Sequence, residues 1–443
     1  MRSHVRTGLK RSTESVVGSG PPRTGRIMNR FVYSLLIGLL LPFAVLRLGV
    51  RSLKEKAYRQ HMLERFGVLG LKTANTDIWV HAVSAGESIA IGPLVERLLD
   101  AGFSITLTTT TPAGRSQLTR DFSGRALIYY APFDTSGAIK RFLTGVRPRM
   151  ALLVETEIWP NWLAVMSRQN MFVALVNGRL SLKSSRGYQK LQPLIGQSLA
   201  HIHWIAVQSE AHRTRFIDLG ASSDQVSVTG SIKSDQSLPS DFAIVTKAMQ
   251  ADLKDQRILL AASTHPGEEA MMLRAFERLR KRHEALRLVL VPRHVPRADE
   301  ICRLARDFGF TAECRSQVPM ASTADVLVVD QMGQLLYWYG ISEVAFVGGS
   351  LVDHGGHNFL EAALAECAIV TGDSLFNFES QADEFEQAGA IRVVHSDLEL
   401  VEALDQMLSD ESLRVESVAR ALQTLELTRG ALDDVFDTLS GKL

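Results

Sequence analysis

The chain has 443 residues, about three times the usual domain length, which predicts at least two domains. Hydrophobic residues make up 46% and charged residues 22% of it, a composition that excludes a disordered protein and a polytopic transporter. The 49 Lys and Arg nearly balance the 48 Asp and Glu, and a net charge of +1 argues against nucleic acid as a partner. Cys302, Cys314 and Cys367 are too widely spaced for a CxxC pair, so we expect buried, reduced thiols in a cytosolic compartment.

A basic leader occupies residues 1–27. It is rich in Arg, Ser, Gly and Pro, and its basic residues far outnumber the single acid, Glu14. We predict that this leader is disordered. Its composition also fits a transit peptide, or an upstream start codon with Met28 as the working start.

Residues 28–50 are predicted to be a membrane anchor, because residues 31–46 are uncharged and basic residues flank them on both sides. This apolar run falls just under the roughly 17 to 25 residues that span a bilayer, and Pro42 is expected to interrupt the helix. A shallow span and an interfacial anchor both remain open. A secretory signal peptide is disfavoured, because no small-x-small cleavage pattern follows Leu46. The basic residues that continue into the next domain favour a cytoplasmic location for it.

Beyond about Gly67, short apolar runs alternate with amphipathic stretches of helical length, which is typical of βα units around a parallel sheet. The first series of expected strands is 78–83, 105–109, 126–130, 150–154, 172–176, 204–207 and 226–229. A polar Pro/Ser stretch at 236–241 indicates a linker. The second series of expected strands is 258–262, 286–291, 326–329, 344–347, 369–371 and 391–394.

This pattern predicts an α/β protein of two doubly wound, Rossmann-like domains that face a central cleft. We assign residues 51–238 to the first domain and 239–443 to the second, whose last helix is able to pack back on the first domain. Ligands of such sheets bind at the carboxyl ends of the strands, so we expect the site in the cleft between the domains.

Charged side chains follow several strands of the first domain. Glu87 closes the run HAVSAGE at a strand-to-helix junction, where its carboxylate can act as a general base or can merely complement the helix dipole. Glu155 and Glu157 are expected on one side of an extended strand beside a Trp-Pro break, although acids that cap the next helix give the same pattern. Lys233 is expected to supply positive charge for a phosphate or a sugar carboxylate, although a lone Lys is usually only solvated.

Polar and glycine-rich loops follow the strands of the second domain. The loop 262–269 is expected to offer free backbone amides to an anion. Arg293 ends the next strand, and residues 332–334 open a helix.

The run HGGHN at 354–358 is the most informative of these loops. Its glycines are expected to expose backbone amides just before a helix that begins near Asn358, so that the helix N-terminus meets a phosphate. Glu361 shares a helix face with Asn358 and can accept two ribose hydroxyls. A metal site at His354 and His357 is the alternative, but no third ligand lies nearby in the sequence.

Taken together, these motifs resemble the Kdo transferases. The resemblance runs from Met28 to near Leu439, and its motifs occur in the order of the family: HAVSAGE, TTTTPAG, ETEIWPN, NGRLS, GSIK, STHPGEE, VPRH, FVGGSLV and GGHN. It implies a GT-B glycosyltransferase anchored to the cytoplasmic face of the inner membrane. Such an enzyme moves 3-deoxy-D-manno-octulosonic acid (Kdo) from CMP-Kdo to lipid IVA, the lipid A precursor, in lipopolysaccharide biosynthesis.

The resemblance also implies roles for individual residues. Glu87 is the general base, and Glu155 and Lys233 stabilise the transition state. The positions that match the CMP-binding stretches are Pro292, Arg293, Met332, Gly333, Gln334, Asn358, Phe359, Leu360 and Glu361. Neither a catalytic metal nor a cofactor is implied, because CMP-Kdo is a donor substrate.

Two of these positions depart from the pattern of the family. Gln334 stands where Glu is common and keeps hydrogen-bonding capacity without the charge. Phe359 stands where Pro is common and gives up the preset backbone angle. Two other functions remain open: a GT-B transferase that uses a UDP-hexosamine on a lipid acceptor, and a membrane-tethered sugar-nucleotide binding protein without turnover.

Overall fold

The computed structural model describes residues 29–70, 75–253, 256–318 and 322–442, so the predicted leader lies outside the described residues. The first element is the helix α1 (Arg30–Lys54), which Asn29 caps by accepting a hydrogen bond from the amide of Val32 at 3.0 Å. α1 continues through Pro42, so the expected interruption there is wrong. A proline removes its own amide donor and crowds the carbonyl four residues earlier, but the Leu-rich, helix-favouring neighbours continue the helix on both sides of Pro42.

One face of α1 packs on the first domain and the opposite face is exposed. The Tyr33 hydroxyl donates to Asp134 and the Ser34 hydroxyl donates to Asn161, both at 2.7 Å. The exposed face carries large apolar residues at helical spacing: Phe31, Leu35, Leu39, Phe43, Leu46 and Val50. Within α1, Arg30–Leu53 has a mean hydropathy of 2.1 and is long and apolar enough to cross a membrane.

Seven parallel strands form the first sheet in the described part of the chain, in the order β3-β2-β1-β4-β5-β6-β7. They are β1 (Ile78–His81), β2 (Ile105–Thr109), β3 (Leu127–Tyr130), β4 (Met150–Val154), β5 (Phe172–Gly178), β6 (Trp204–Val207) and β7 (Val226–Val228). The helices around them are α2 (Ala85–Asp100), α3 (Pro112–Phe122), α4 (Ser136–Val146), α5 (Pro160–Arg168), α6 (Leu182–Gln189), α7 (Gln192–Leu199) and α8 (Glu210–Asp218). Short 3₁₀ helices occupy Lys56–Arg59, Met62–Phe66, Ser223–Gln225 and Ile232–Asp235.

The second sheet repeats this architecture, with the strand order β10-β11-β9-β8-β12-β13-β14 among the described residues. Its strands are β8 (Arg257–Thr264), β9 (Leu286–Pro292), β10 (Ala312–Cys314), β11 (Val326–Val328), β12 (Val344–Val347), β13 (Ala368–Gly372) and β14 (Arg392–Val394). Its helices are α9 (Phe242–Leu253), α10 (Glu268–Leu279), α11 (Ala298–Asp307), α12 (Leu335–Tyr339), α13 (Leu360–Leu364), α14 (Glu379–Gln387), α15 (Asp397–Ser409) and α16 (Glu411–Leu427), with 3₁₀ turns at Val295–Arg297 and Arg315–Gln317.

The strand orders define where each sheet opens. β1 pairs with both β2 and β4, so that Ile78 lies opposite Ile105 on one side and Met150 on the other. In the second sheet β8 pairs with both β9 and β12. The chain leaves such central strands in opposite directions, and a crevice forms at their carboxyl ends. The predicted pair of doubly wound, Rossmann-like domains is confirmed.

The last helix, α17 (Ala431–Ser440), packs on the first sheet rather than the second. Its residues Ala431, Val435 and Leu439 are buried in the core around β1 and α2. The carboxylate of Asp235 fixes the start of α17 by accepting hydrogen bonds from the amides of Gly430 and Leu432 at 2.7 and 2.6 Å. The chain therefore crosses between the two domains twice.

All three cysteines are buried and unpaired, as expected. Cys302 and Cys314, which are twelve positions apart, meet in the core of the second domain with 3.0 Å between their sulfur atoms.

Candidate active site

A cleft of about 500 Å³ lies between the two domains, at the carboxyl ends of their central strands. The first domain contributes Ser84, Glu87, Gln117, Glu155, Arg179 and Lys233 to its wall. The second domain contributes Ser263, Pro292, Arg293, Met332, Gly333, His357, Asn358, Glu361, Asn377 and Phe378. Residues that are far apart in the sequence thus share one cavity of the size that small-molecule sites commonly have.

Glu87 lies in the first turn of α2, whose N-terminal cap is Ser84. One carboxylate oxygen accepts a hydrogen bond from the amide of Val83 at 2.7 Å, and the other accepts from the hydroxyl of Ser84 at 3.0 Å. Burial, and then the negative charge of Glu155, raise the pKa of Glu87 from 4.5 to about 7. A carboxyl group with such a pKa is able to take up a proton near neutral pH.

Glu155 follows β4 in a left-handed conformation, with φ of 62°. One of its oxygens lies 3.1 Å from the ammonium group of Lys233 and the other lies 3.4 Å from the guanidinium group of Arg179. Burial acts to raise the pKa of Glu155, but the two cations outweigh it and hold that pKa below the ordinary value. Glu155 is therefore ionised at neutral pH.

Glu155 and Glu157 do not share one side of an extended strand, and that expectation is wrong. β4 ends at Val154, and the left-handed residue Glu155 turns the chain. Glu157 instead accepts a hydrogen bond from the indole of Trp159 and lies 3.7 Å from His81. The two carboxylates consequently have different partners.

Arg179 is a site residue to which the sequence assigned no role, although it lies in the NGRLS motif. In addition to Glu155, its guanidinium group reaches the second domain, where it donates to the backbone carbonyl of Asn377. Asn377 in turn donates to the carbonyl of His354 at 2.8 Å. Lys233 makes a parallel contact, with its ammonium group 5.1 Å from the centre of the Phe378 ring. These contacts join the Glu155 carboxylate to the loop that carries Asn358.

On the opposite wall, Arg293 follows β9 directly, and its amide donates to the carbonyl of Thr264 at 3.0 Å. Glu361 lies in α13 and accepts a hydrogen bond from the side-chain amide of Asn358 at 2.9 Å. Burial raises the pKa of Glu361 above its ordinary value. Arg293, Asn358 and Glu361 thus present a cation, an amide and a carboxyl group to one side of the cleft.

The expectation of exposed amides in the glycine loop is contradicted. The amides of Gly356 and His357 donate to the carbonyls of Gly349 and Gly348, and the amide of Gly355 donates to the hydroxyl of Ser374. The glycines instead allow close packing. A Cβ atom on Gly356, whose φ is +71°, would lie 2.7 Å from the Leu375 side chain.

The helix after this loop is also too short for the expected role. α13 spans only Leu360–Leu364 and starts two residues after Asn358. The amide of Leu360 is already bonded to the side-chain oxygen of Asn358 at 3.3 Å. Because a helix dipole depends on several aligned peptide groups, α13 is a weak source of anion binding.

In the loop 262–269 the amide of His265 is not free for an anion as expected, because a carboxylate of the chain itself occupies it. Buried Glu268 accepts from the amides of His265 and Gly349 on one oxygen, at 2.9 and 2.8 Å. Its other oxygen accepts from the amides of Ser350 and Leu351, both at 3.1 Å. Glu268 therefore ties the loop after β8 to the loop after β12.

Histidine side chains form a stack behind the glycine loop. The Nε2 atoms of His265 and His357 are 2.9 Å apart, and the ring of His354 stacks on that of His265 with 4.1 Å between centroids. Burial, followed by the charge of Arg293, lowers the pKa of His357 to about 3. No group of His, Cys, Asp and Glu in the described residues is arranged to hold a metal ion. The metal alternative at His354 and His357 therefore gains no support, and metal independence stays a prediction.

Sequence comparisons show to which protein family the chain belongs. The family model described as 3-deoxy-D-manno-octulosonic-acid transferase (kdotransferase) matches residues 60–236. A 3-deoxy-D-manno-octulosonic acid transferase of Haemophilus influenzae is 33% identical over 420 residues, covering 93% of this chain and 98% of the relative. A transferase of the same description from Bordetella pertussis is 34% identical and covers 93% of this chain and 100% of the relative. The chain belongs to the Kdo transferase family.

Solved structures extend the likeness at the level of the fold. A UDP-N-acetylglucosamine 2-epimerase matches with a TM-score of 0.58 at 11% identity, covering 83% of this chain and 97% of its own. A glycosyltransferase from Rickettsia africae matches with a TM-score of 0.56 at 11% identity, covering 82% of this chain and 97% of its own. This Kdo transferase family member therefore has the predicted GT-B architecture.

The nine predicted nucleotide-binding positions of this Kdo transferase family member divide into two groups. Those that line the cleft are Pro292, Arg293, Met332, Gly333, Asn358 and Glu361. The other three are not brought into the cleft. Phe359 and Leu360 are buried in the core of the second domain, where the Phe359 ring packs on Phe378 and Phe385. Gln334 caps α12 beside the cleft and is not part of its wall.

Proposed function

We propose that this protein transfers Kdo from CMP-Kdo to lipid IVA in lipopolysaccharide biosynthesis. The observation that carries the proposal is the raised pKa of Glu87 in a cleft whose opposite wall holds a cation and polar groups for a nucleotide. Membership of the Kdo transferase family supports Kdo as the transferred sugar. The lipid IVA acceptor and the base role of Glu87 are parts of the proposal.

In the proposed reaction, Glu87 accepts the proton of the attacking acceptor hydroxyl. The oxygen of that hydroxyl forms the new bond to the anomeric carbon of Kdo. The bond from that carbon to the phosphate oxygen breaks, and CMP leaves with the electron pair. A single displacement of this kind inverts the anomeric configuration and needs no covalent enzyme intermediate.

The cations of the cleft are assigned to the negatively charged groups of the donor. Arg293 is a cation on the wall formed by the second domain, and we assign it to the phosphate of CMP. Lys233 and Arg179 lie against Glu155 at the junction of the two domains, where we expect them to stabilise charge on the departing phosphate and on the Kdo carboxylate. Asn358 and Glu361 are assigned to the ribose. The reaction then requires a base and fixed charges, and a catalytic metal or other cofactor is not part of the proposal.

α1 supplies the proposed membrane attachment. Because one face of α1 is fixed to the first domain through Tyr33 and Ser34, its exposed apolar face is suited to lie in the membrane interface. We therefore favour an interfacial anchor over a shallow span, on the cytoplasmic side of the inner membrane. The active site is then held at the surface where a lipid acceptor is presented.

The test combines purified protein, CMP-Kdo and lipid IVA, with mass analysis of the lipid product. We expect a product heavier by Kdo, and we expect Glu87→Gln to abolish it while the matched control Glu96→Gln, on the exposed face of α2, retains it. Undiminished turnover by Glu87→Gln would contradict the base assignment. A rise in melting temperature with UDP but not with CMP would instead favour a UDP-sugar transferase. Full activity after treatment with EDTA is expected for a metal-independent reaction.

A further inference from the structure

Ser263, near the carboxyl end of the central strand β8, has an uncommon backbone conformation. Its φ is +54°, in the left-handed region that residues other than glycine rarely adopt. Strain of this kind persists only where the surrounding structure enforces it, and it is frequent at functional sites. The proposed reaction gives Ser263 no role, although this residue lines the cleft.

A β-bulge turns Ser263 out of the core. Ala262 of β8 lies opposite Val291 of β9, and Thr264 lies opposite Pro292, so Ser263 is an extra residue that faces none in β9. Ala262 and Thr264 are both 0% exposed, whereas Ser263 between them is partly exposed. The bulge therefore interrupts the buried end of β8 and brings one polar residue to the wall of the cleft.

The hydroxyl group of Ser263 is available to a ligand. Its Oγ atom has no hydrogen-bond partner within the described residues, and it is not one of their enclosed unpaired atoms, so it is open to the cleft. By contrast, the hydroxyl of Ser84 on the opposite wall already donates to Glu87 at 3.0 Å. A serine hydroxyl can donate one hydrogen bond and can rotate to meet an acceptor.

Contacts on two sides hold the bulge in place. Towards β9, the carbonyl of Thr264 accepts a hydrogen bond from the amide of Arg293 at 3.0 Å. Towards β12, Gly348 packs so closely that a Cβ atom on it would lie 2.9 Å from both the Ser263 carbonyl oxygen and the Thr264 Cα atom. The backbone that carries the free hydroxyl is thus fixed before any ligand binds, which lowers the cost of binding.

The neighbours of Ser263 define the chemistry of its partner. Arg293, which is joined to the bulge through its amide, is the cation that we assign to the phosphate of CMP. Glu268 is the acid beside the bulge, but it is 0% exposed and both of its oxygens accept hydrogen bonds from backbone amides. A neutral donor next to a cation favours an anionic oxygen as its acceptor.

We propose that the hydroxyl of Ser263 donates a hydrogen bond to a phosphate oxygen of CMP-Kdo. This inference rests on the proposed function. The guanidinium group of Arg293 supplies charge, and the hydroxyl of Ser263 adds a directional contact from a rigid strand end. Together they fix the orientation of the phosphate, and with it the direction of the bond that breaks when the acceptor attacks.

The test separates the hydroxyl from the backbone by means of two variants, Ser263→Gly and Ser263→Ala. Both remove the hydroxyl, so calorimetry should show about tenfold weaker binding of CMP in each, as for loss of a hydrogen bond to a charged group, and unchanged binding of cytidine. Their stabilities should differ. Glycine adopts a φ of +54° without strain, so the melting temperature of Ser263→Gly should equal or exceed that of wild type, whereas Ser263→Ala keeps the strain and should not exceed it.

A purely structural role for Ser263 predicts a different pattern. If Ser263→Ala binds CMP as wild type does, or if both variants weaken CMP and cytidine by the same factor, the proposal is overturned. In the transfer assay, the KM for CMP-Kdo should rise about tenfold in both variants with kcat little changed, because the phosphate contact exists already in the bound substrate.

Asn170→Gly is the matched control. Asn170 follows α5 in the first domain with φ of 52° and is exposed, so this variant also replaces a left-handed residue by glycine. We expect it to bind CMP and cytidine as wild type does. The two proposals fail in different ways. If the wild-type protein neither binds CMP nor gives a Kdo-bearing lipid, the proposed function fails. If it does both, and the two Ser263 variants keep the wild-type affinity for CMP, only the assignment of Ser263 fails.

Discussion

The proposed base role of Glu87 predicts that its pKa sets the pH dependence of the transfer rate. A general base acts only when it is ionised, so the rate must fall as the pH falls through the pKa of Glu87. That pKa is raised from 4.5 to about 7, chiefly by burial and then by the charge of Glu155. The acid limb of the pH profile is therefore expected near neutrality rather than near the pH at which exposed carboxyl groups titrate.

The raised pKa of Glu87 determines how strongly kcat/KM should change with pH. With a pKa of about 7, roughly one tenth of the enzyme has an ionised base at pH 6 and roughly nine tenths at pH 8. The kcat/KM for the acceptor should thus rise about tenfold between these values. A carboxyl group with the ordinary pKa would be almost fully ionised across the range, and kcat/KM would be nearly flat.

The raised pKa of Glu87 also predicts that the free energy of unfolding depends on pH. Between pH 4.5 and about 7 the folded state binds a proton at Glu87 that the unfolded state has lost, so stability declines as the pH rises through this window. The total change is on the order of 3 kcal/mol. Glu87→Gln removes the charge, so the decline between pH 5 and pH 8 should be smaller in this variant, while Glu96→Gln should behave as wild type.

The assay is the initial rate of Kdo transfer to lipid IVA at subsaturating acceptor, measured from pH 5.5 to 8.5, with denaturant unfolding at pH 5 and pH 8. A flat kcat/KM across this range, together with equal pH dependence of unfolding in wild type and Glu87→Gln, would refute the physical reasoning. A tenfold rise in kcat/KM from pH 6 to pH 8, together with a smaller pH dependence of unfolding in Glu87→Gln than in wild type, would support it.

Four further outcomes are expected. Glu155→Gln removes a negative charge that raises the pKa of Glu87, so the acid limb of kcat/KM should move to lower pH. Lys233→Met should lower kcat about 100-fold or more, because it removes a fixed charge from the reaction centre, with circular dichroism showing a retained fold. Gly356→Ala forces a side chain onto a residue with φ of +71°, and we expect a loss of about 1 to 3 kcal/mol in the free energy of unfolding together with weaker stabilisation by CMP. Glu268→Gln leaves one acceptor oxygen for four amides and should cost about 3 kcal/mol or more in denaturant unfolding.

The strands were the most predictable feature, because buried parallel strands are continuous apolar runs bounded by turns. β2, β4, β6 and β12 begin and end where the sequence indicates. β10 was missed, since it is only three residues long, contains Glu313 and lies at the edge of its sheet. A strand this short has no period to detect.

The motifs indicated many of the residues that line the cleft, but they did not indicate the local geometry of those residues. The left-handed turn at Glu155 separates it from Glu157, and no Gly or Asn marks that turn in the sequence. Which amides are free depends on partners far along the chain, such as Glu268 for the amide of Gly349.

The return of α17 to the first sheet has a consequence for biosynthesis. The first domain leaves the ribosome first, but Ala431, Val435 and Leu439 belong to its hydrophobic core. During translation that core stays open on the side of α2 until the final residues emerge, so the domain made first is completed last. A fragment that ends after α16 would present this apolar surface to solvent and should aggregate or bind chaperones, whereas the full chain covers it by its own C-terminus.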